Sequence, residues 1–316
     1  MNRASWAILS FTLSSVFMRC STLIAAVLLA LCTSCASLPQ KTLTLATFNM
    51  EWLGDNTPDD QKIRTEADLK LLARVVRDTE ADIIALQEIE NDAAMKQLLV
   101  HLPEYRFALG ATGGKQHVGF MVKSRIAGAE FLGEVPAIAV EQNRTKAGYL
   151  LRVRESGNGN GNGNGNGNGK EWLFLSVHLK ATSRADSTPA LEERSRELRR
   201  LQAAQLRAWS DSLFQADSTK HLVLIGDFND SPKRKNTSLD TLRTAPNLTF
   251  LTAENTSCSY AGAPAIDHII CSKPVLKRFR RGSLYTLNFH AMLTEQEAKR
   301  VSDHCPVVCR FDWDGE

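Results

Sequence analysis

The stretch Leu222-Val-Leu-Ile-Gly-Asp-Phe-Asn-Asp-Ser-Pro232 begins as an apolar strand and ends in polar residues that a protein core would exclude. Four apolar residues lead to Gly226, and Asp227 and Asn229 follow directly. Because side chains alternate along an extended chain, Asp227 and Asn229 are expected on the same side. Alone, this pattern is also typical of a turn after a core strand, since Asp and Asn favour turns.

Several other predicted strands end, or begin, in the same way. The segments concerned are Phe48-Asn49, Gln87-Glu88, Val177-His178, Ile266-Asp267-His268 and Asp303-His304. Polar side chains at strand ends converge where sheets present a common edge, and such edges form binding sites. Two histidines among carboxylates, without a serine or cysteine nucleophile, favour a metal-assisted hydrolysis site.

Apolar periodicity predicts strands that alternate with helices in the first part of the chain and form hairpins later. Besides the opening stretch, the predicted strands are 43–48, 81–88, 118–122, 137–140, 149–154, 172–177, 265–272 and 306–311, and the predicted helices are 62–79, 91–101 and 189–215. This order indicates two packed sheets with helices outside, in one domain spanning residues 42–316. The Gly-Asn repeat at 157–169 cannot bury apolar surface and predicts a flexible hairpin loop.

The first 34 residues have the composition of an export signal. Arg3 and Arg19 precede the apolar run Ser21–Leu31, and small residues follow it, an order typical of a secretory signal peptide. The run is shorter than the ~20 residues of a membrane span. Leu31-Cys-Thr-Ser-Cys35 is similar to a bacterial lipobox, so we expect acylation of Cys35 and a tether over 35–41. An uncleaved membrane anchor is the alternative.

Composition and charge restrict the function only weakly. The chain is 43% hydrophobic, as a soluble globular protein is, and has 38 Lys and Arg against 35 Asp and Glu. Without residues 1–34, which contain two arginines and no acidic residue, the balance is 36 to 35. A nearly neutral domain gives no whole-surface argument for nucleic acid.

Four of the seven cysteines lie in the predicted domain, at positions 258, 271, 305 and 309. They allow three pairings. Cys305 and Cys309 would lie too far apart for a bridge if both are on one extended strand. We therefore expect Cys258 or Cys271 to pair with one of the two C-terminal cysteines.

Taken in order, the strand-end motifs resemble those of the endonuclease/exonuclease/phosphatase superfamily. The motifs are Thr47-Phe-Asn49, Gln87-Glu88, Ser176-Val-His178, Gly226-Asp-Phe-Asn229, Ile266-Asp-His268 and Ser302-Asp-His304, and the resemblance spans about residues 42–313. It implies an α/β (α+β) four-layer sandwich of the deoxyribonuclease-I type, in which two packed, mostly antiparallel β-sheets are flanked by helices. With the predicted signal, it implies an exported bacterial branch.

The resemblance also implies a metal centre. Glu88 would be the principal Mg²⁺ ligand, with Asn49 beside it and Asp303 near the metal; Mn²⁺ or Ca²⁺ are alternatives. Carboxylate oxygens are ligands that Mg²⁺ prefers. Asp227 and Asn229 would position the attacking water and the phosphate, with Asp227 as a further candidate ligand.

The remaining implied roles concern proton transfer and phosphate contact. His304 would be the general base, oriented by Asp267, because a carboxylate fixes the tautomer of a histidine that accepts a proton from water. His178 would contact the phosphate or assist the leaving group, as in the deoxyribonuclease- and sphingomyelinase-like branches. Arg144 resembles a phosphate-contacting arginine. His268 is expected on the opposite face of its strand, in a structural role.

These observations predict an exported, monomeric, Mg²⁺-dependent phosphodiesterase, with DNA or RNA as the favoured substrate and a lipid anchor on Cys35 as its contact with the cell envelope. A secreted form is the alternative localisation. The alternative activities are a phosphomonoesterase or a lipid phosphodiesterase acting on phosphoinositide or sphingomyelin headgroups. A non-catalytic binding module is disfavoured, because Glu88, His178 and His304 are all present.

Overall fold

The computed structural model of the chain describes residues 41–155, 170–183, 185–260 and 262–313. The predictions for the signal segment, for Cys35 and for the Gly-Asn repeat fall outside these residues. No helix in the described ranges is long and apolar enough to cross a membrane.

The described residues form two β-sheets of six strands each. The strands are β1 (Thr42–Leu53), β2 (Ile83–Ile89), β3 (Tyr105–Leu109), β4 (His117–Lys123), β5 (Ala129–Val135), β6 (Gly148–Arg154), β7 (Glu171–His178), β8 (His221–Asp227), β9 (Leu248–Phe250), β10 (Asp267–Ser272), β11 (Tyr285–Thr286) and β12 (Val307–Asp312). The first sheet has the order β11-β12-β1-β2-β4-β3 and the second the order β5-β6-β7-β8-β10-β9. The pairs β1–β2 and β7–β8 are parallel, and the other strand pairs are antiparallel.

Helices cover the outer faces of both sheets. They are α1 (Glu66–Asp78), α2 (Asp92–Leu99), α3 (Pro189–Ala216), α4 (Asp240–Arg243), α5 (Lys273–Leu276) and α6 (Glu295–Val301). Apolar residues of α1, α2 and α6 pack on the first sheet, and those of α3 and α4 on the second. Between the sheets lies a core that includes Phe120, Trp172 and Phe311. The predicted four-layer sandwich of mostly antiparallel sheets is confirmed.

Strand direction explains why the polar strand ends meet. The parallel pairs β1–β2 and β7–β8 bring the carboxyl ends of their strands to one edge of each sheet. Strand β10 runs antiparallel to β8 and starts with Asp267 opposite Asp227. Strand β12 runs antiparallel to β1, so the residues before it lie where β1 ends. The topology therefore gathers all six motifs at one end of the sandwich.

Gly226, near the end of β8, has a backbone that other residues rarely adopt, with φ at 143°. A Cβ atom there would lie 2.0 Å from the carbonyl oxygen of Val177 on β7. We expect Gly226→Ala to lower the free energy of unfolding by about 3 kcal/mol or more, from strain and the clash together. Denaturant unfolding checks this, with Gly114→Ala as the control, because Gly114 has φ at 62° but open space around it. If both variants lost the same free energy of unfolding, the close approach of Gly226 to the Val177 carbonyl would not be the cause of the loss.

Two groups of sequence predictions differ from the fold. The strand predicted at 137–140 is wrong: Pro136–Ile138 is a single 3₁₀ turn, because Pro136 lacks the N–H that a strand ladder needs. The strands β3, β5, β9 and β11 and the helices α4, α5 and α6 were not predicted. Helix α6 had a sequence signal, since Thr294 and Glu297 form a capping box at its start.

A disulfide joins Cys258 to Cys305, which is one of the pairings left open by the sequence. Cys271 and Cys309 are free and buried. His268 lies in the core, where its ring nitrogens contact Thr252 Oγ1 at 2.8 Å and the carbonyl oxygen of Asp230 at 3.0 Å. These contacts agree with the structural role expected for His268.

Candidate active site

Asn49, at the end of the regular part of β1, joins two carboxylates from different sheets. Its side chain is fully buried, and Nδ2 donates hydrogen bonds to Glu88 Oε1 and Asp227 Oδ2, both at 3.1 Å. Its Oδ1 accepts a hydrogen bond from the Glu51 amide at 2.9 Å. Glu88 and Asp227 are therefore fixed on either side of one amide group.

The backbone at two of the site residues is held in the left-handed region. Glu88 has φ at 60° and Asn229 has φ at 52°. The Trp52 amide donates a hydrogen bond to Glu88 Oε2 at 3.2 Å, and this contact helps to keep Glu88 in its strained conformation. Asn229 donates from its amide to Asp227 Oδ1 at 2.8 Å and from Nδ2 to the Leu179 carbonyl at 3.0 Å. Such strain persists where surrounding contacts impose it, and it is concentrated at functional sites.

His178, at the end of β7, faces both carboxylates. Its Nε2 lies 3.6 Å from Asp227 Oδ2 and 3.8 Å from Glu88 Oε1. Burial lowers the pKa of His178 well below its usual value, and the positive charges of Lys146 and His304 act in the same direction. His178 is therefore a neutral imidazole. Its buried Nδ1 has no hydrogen-bond partner among the described residues.

His304 and Asp267 form a hydrogen-bonded pair on the other side of Asp227. The distance from His304 Nδ1 to Asp267 Oδ2 is 2.8 Å, and His304 Nε2 lies 3.8 Å from Asp227 Oδ2. Burial alone would lower the pKa of His304, but the charge and hydrogen bond of Asp267 and the charge of Asp227 raise it well above its usual value. In contrast to His178, His304 is held as an imidazolium.

The segment before β12 is positioned by Ser302. Its hydroxyl donates to the Asn49 carbonyl at 2.8 Å and accepts from the His304 amide at 3.0 Å. The motif that begins with Ser302 thus fixes His304 relative to the end of β1.

Asp227 lies at the centre of this group. The pKa of Asp227 is raised to about 7, mainly by burial; the like charges of Asp267 and Glu88 act in the same direction, and the charge of His304 and the hydrogen bond from the Asn229 amide act against it. A carboxylate with a pKa near neutrality can accept a proton from water at physiological pH.

Lys146, just before β6, is a site residue that the sequence analysis missed. Its Nζ contacts Gln116 Oε1 at 3.4 Å. Burial lowers its pKa to about 8, while the negative charges of Glu88 and Asp227 work against that decrease. Lys146 is therefore a cation whose charge acts on both central carboxylates. The sequence feature that could have indicated Lys146 is its position in the same short segment as Arg144, two residues closer to β6.

The predicted phosphate contact Arg144 lies further out. Its Nη1 is 3.4 Å from Glu141 Oε1, and its side chain is 35% exposed. Its charge acts on Lys180, just beyond β7, and helps to lower the pKa of that lysine. Arg144 thus lies at the rim, and its contact with phosphate stays a prediction.

The donor atoms around Asn49 fit a divalent cation. Glu88 and Asp227 supply the carboxylate oxygens that Mg²⁺ prefers, and a divalent charge between them would remove the repulsion that helps to raise the pKa of Asp227. Asn49 donates to these oxygens from Nδ2 and accepts from the Glu51 amide at Oδ1, so in this arrangement it positions the two carboxylates, and its contact with the metal stays a prediction. Asp303 lies on the His304 side, with Oδ1 at 3.9 Å from His304 Nε2 and its side chain 52% exposed.

A second set of donor atoms lies close by. Asp227, Asp267 and His304 also place one ligand atom each within 4.8 Å of one another. In this set Asp267 Oδ2 is already hydrogen-bonded to His304, and the role of Glu88 as a metal ligand stays a prediction.

Solved structures with the same fold differ from this chain in sequence. An endonuclease/exonuclease/phosphatase family protein from Bacteroides thetaiotaomicron is 18% identical, with 87% of this chain and 99% of that chain covered and a TM-score of 0.56. The human nocturnin catalytic domain is 16% identical, with 86% and 94% covered and a TM-score of 0.54. A mannosyl-6-phosphatase from Bacteroides thetaiotaomicron is 17% identical, with 84% and 98% covered and a TM-score of 0.53.

No curated protein matches the sequence of this chain. The profile of the Endonuclease/Exonuclease/phosphatase family, however, matches residues 46–304, which includes every motif from β1 to His304. The chain therefore belongs to the endonuclease/exonuclease/phosphatase family, whose enzymes are metal-dependent phosphoester hydrolases.

Proposed function

We propose that the chain is an exported phosphodiesterase that uses a divalent cation, with Mg²⁺ and a nucleic acid as the preferred metal and substrate. The observation that supports this most is the arrangement around Asp227: two carboxylates joined by Asn49, a neutral histidine on one side and a positively charged histidine on the other. The set provides a metal site, a proton acceptor and a hydrogen-bond donor within one buried group.

In this mechanism Glu88 and Asp227 would hold the cation, which when bound would supply neutralisation of charge on the phosphate. Asn229 would orient the phosphate oxygens, while Asn49 holds Glu88 and Asp227 in place. His178, as a neutral imidazole, can donate one hydrogen bond to the leaving oxygen or to the phosphate. His304, as an imidazolium, donates from Nε2 to a phosphate oxygen while Asp267 fixes its Nδ1–H.

The proton of the attacking water has two candidate acceptors. The sequence predicts His304, but its raised pKa keeps it protonated, whereas Asp227 has a pKa of about 7. If Asp227 accepts the proton, activity rises with pH below neutrality, because a bound cation lowers the pKa of Asp227 from its metal-free value of about 7, and it falls at higher pH as His304 loses its proton. If neutral His304 accepts it, activity keeps rising into the alkaline range. A pH–rate profile with a fixed metal concentration separates the two cases.

A phosphomonoesterase is the second candidate, because one of the structural neighbours is a mannosyl-6-phosphatase.

Lys146 should contribute to turnover through charge. We expect Lys146→Met, which keeps most of the length of the side chain, to lower kcat/KM about a hundred-fold, because a partly buried cation whose charge acts on Glu88 and Asp227 is lost. Lys146→Arg should retain more activity than the Met variant. The control is Lys123→Met, since Lys123 lies on β4 with its Nζ near Asp82, outside the site. Activity of Lys146→Met equal to the wild type would remove Lys146 from the mechanism.

The substrate is best determined with a panel. Purified protein is incubated with plasmid DNA, RNA, sphingomyelin, a phosphoinositide and a sugar phosphate, each with Mg²⁺ and with EDTA. We expect cleavage of nucleic acid in the presence of Mg²⁺. Release of inorganic phosphate from the sugar phosphate, without cleavage of any diester, would contradict the proposed activity.

Export and acylation are proposed from the sequence of the first 35 residues. We expect the protein in the membrane fraction of the producing cell, and Cys35→Ser in the soluble envelope fraction. Recovery of both proteins in the cytoplasm would contradict export.

A further inference from the structure

Arg64, which lies just before helix α1, is a buried cation with a 3% exposed surface. The acidic side chains around it pair with other cations, Glu51 with Lys62 at 2.5 Å and Asp68 with Arg300 at 3.4 Å. Burial lowers the pKa of Arg64 to about 10, and the charges of nearby carboxylates only partly offset this decrease. Because a charge is costly to bury without a paired opposite charge, other contacts must compensate the guanidinium.

These contacts are main-chain carbonyls. The guanidinium donates five hydrogen bonds to two segments that lie far apart in the sequence. The acceptors are the carbonyl oxygens of Met50 at 2.6 Å, Glu51 at 2.9 Å, Trp52 at 3.0 Å, Arg300 at 3.2 Å and Val301 at 2.9 Å. A guanidinium presents its N–H donors in a rigid, planar fork, so the bonds fix direction as well as distance. Arg64 therefore joins the end of β1 to the segment before His304.

The segment at the end of β1 supports the Glu88 side of the active site. Glu51 and Trp52 have left-handed backbones, with φ at 45° and 55°. Such strain persists only where surrounding contacts impose it. The amides of the same two residues donate to Asn49 Oδ1 at 2.9 Å and to Glu88 Oε2 at 3.2 Å. Arg64 thus bonds to the carbonyls of the two residues whose amides fix Asn49 and Glu88.

The other segment leads into the His304 side. Arg300 and Val301 form the end of α6, where carbonyl groups have no partner within the helix. Arg64 accepts this role for both carbonyls, so it fixes where the helix ends and where the segment that contains His304 begins.

The strand ladder does not connect these two sides. The last pair between β1 and β12 is Thr47 with Val307, so Asn49 and His304 lie beyond it. Ser302 Oγ donates to the Asn49 carbonyl at 2.8 Å, and the Asp303 amide donates to Glu51 Oε2 at 2.9 Å. Each of these contacts is a single hydrogen bond, whereas Arg64 contacts three residues of one segment and two of the other.

We infer that Arg64 is a positioning residue for hydrolysis, which sets the spacing between the Glu88 side and the His304 side of the active site through its five hydrogen bonds. The inference rests on the proposed phosphodiesterase function and adds a residue that does not touch the substrate. A displacement of one side relative to the other should lower the rate and leave binding largely intact, because the reacting groups must meet within a narrow range of distances.

The test uses Arg64→Met and Arg64→Lys in the full chain, with bis(p-nitrophenyl) phosphate and Mg²⁺, at a temperature where near-UV circular dichroism matches that of the wild type. We expect both variants to lose about a hundred-fold in kcat. Lysine should not rescue the rate, because an ammonium donates from one point and cannot replace a planar fork. KM, and the Mg²⁺ affinity in calorimetric titration, should stay within about three-fold, because Asn49 still joins Glu88 to Asp227.

The matched control is Arg106→Met. Arg106, on β3, donates from Nη2 to two backbone carbonyls, the closer at 2.6 Å. It lies across β4 from the start of β2, the end of that strand remote from Glu88. Loss of these bonds should lower the unfolding temperature and leave kcat of the folded protein unchanged. A purely structural role for Arg64 would give the same result in its variants.

The outcomes separate the positioning role from the proposed function. If the wild type hydrolyses the diester and folded Arg64→Met keeps kcat within about three-fold, the positioning role is refuted and the function stands. Full activity of Arg64→Lys, or a loss confined to KM or to Mg²⁺ affinity, would also refute it. If neither variant folds, Arg64 is required for folding and the inference is rejected. If the wild type itself does not hydrolyse the diester, the proposed function fails and the positioning role fails with it.

Discussion

Glu88→Gln should reduce Mg²⁺-dependent hydrolysis by about a thousand-fold or more, which corresponds to a barrier about 4 kcal/mol higher. Glutamine is nearly isosteric, but its one carbonyl oxygen can keep only one of the two hydrogen bonds that Glu88 accepts, at Oε1 from Asn49 Nδ2 and at Oε2 from the Trp52 amide. The main lost property is the negative charge that holds the cation. The loss should be accompanied by weaker Mg²⁺ binding in calorimetric titration.

The matched control for this variant is Glu90→Gln, two residues further along the same segment. Glu90 contacts Lys115 Nζ at 2.7 Å, and no contact joins it to Asp227 or Asn49. The rate of hydrolysis by Glu90→Gln should stay within a few-fold of that of the wild type. Near-normal turnover and metal affinity in Glu88→Gln would remove Glu88 from the metal site.

Asp227→Asn should abolish activity and, in metal-free protein, increase stability. The pKa of Asp227 is raised to about 7 in the fold from an ordinary value of 3.8, so the fold favours its protonated form. Its contribution to stability is full below about pH 4 and is lost as the pH rises through about 7. Above pH 7 the wild type therefore holds a buried charge that the Asp227→Asn variant lacks, at a cost on the order of 2–4 kcal/mol.

The corresponding measurement is thermal unfolding of both proteins in EDTA at pH 5 and pH 8. The variant should unfold at a higher temperature than the wild type at pH 8, and the difference should be smaller at pH 5. Mg²⁺ should stabilise the wild type and not the variant. A variant that is less stable than the wild type at pH 8 would show that Asp227 supports the fold and is not a strained functional group.

The central strands and the site motifs could be predicted from the sequence because their patterns are strong. An apolar run such as Leu222–Ile225 followed by Gly226 and Asp227 has few alternative structures, and six such motifs in order specified both the fold and the residues that meet. The edge strands were missed for a physical reason. Strand β5 contains glycine and two glutamates, and most of its residues are only partly buried, so it lacks the apolar alternation of a core strand.

Sequence reasoning was weaker for residues whose role depends on contacts between distant segments. Lys146 and Arg144 lie in one short segment, and their roles differ because the charge of Lys146 acts on Glu88 and Asp227 while Arg144 pairs with Glu141. The protonation states of His178 and His304 likewise depend on their neighbours. His178 is buried and His304 is partly buried, yet the charge of Asp267 and the hydrogen bond to it reverse the direction of the pKa shift at His304. Neither the different roles of Lys146 and Arg144 nor the protonation states of the two histidines can be inferred from the pattern of residue types.

The most direct test of a metal-dependent site is a rate measurement with bis(p-nitrophenyl) phosphate on the wild type and Glu88→Gln, in Mg²⁺ and in EDTA. We predict hydrolysis by the wild type in Mg²⁺, none in EDTA, recovery when Mg²⁺ is restored, and almost none by Glu88→Gln in any condition. Hydrolysis that persists in EDTA, or that Glu88→Gln retains in Mg²⁺, would contradict a metal-dependent phosphodiesterase centred on Glu88 and Asp227.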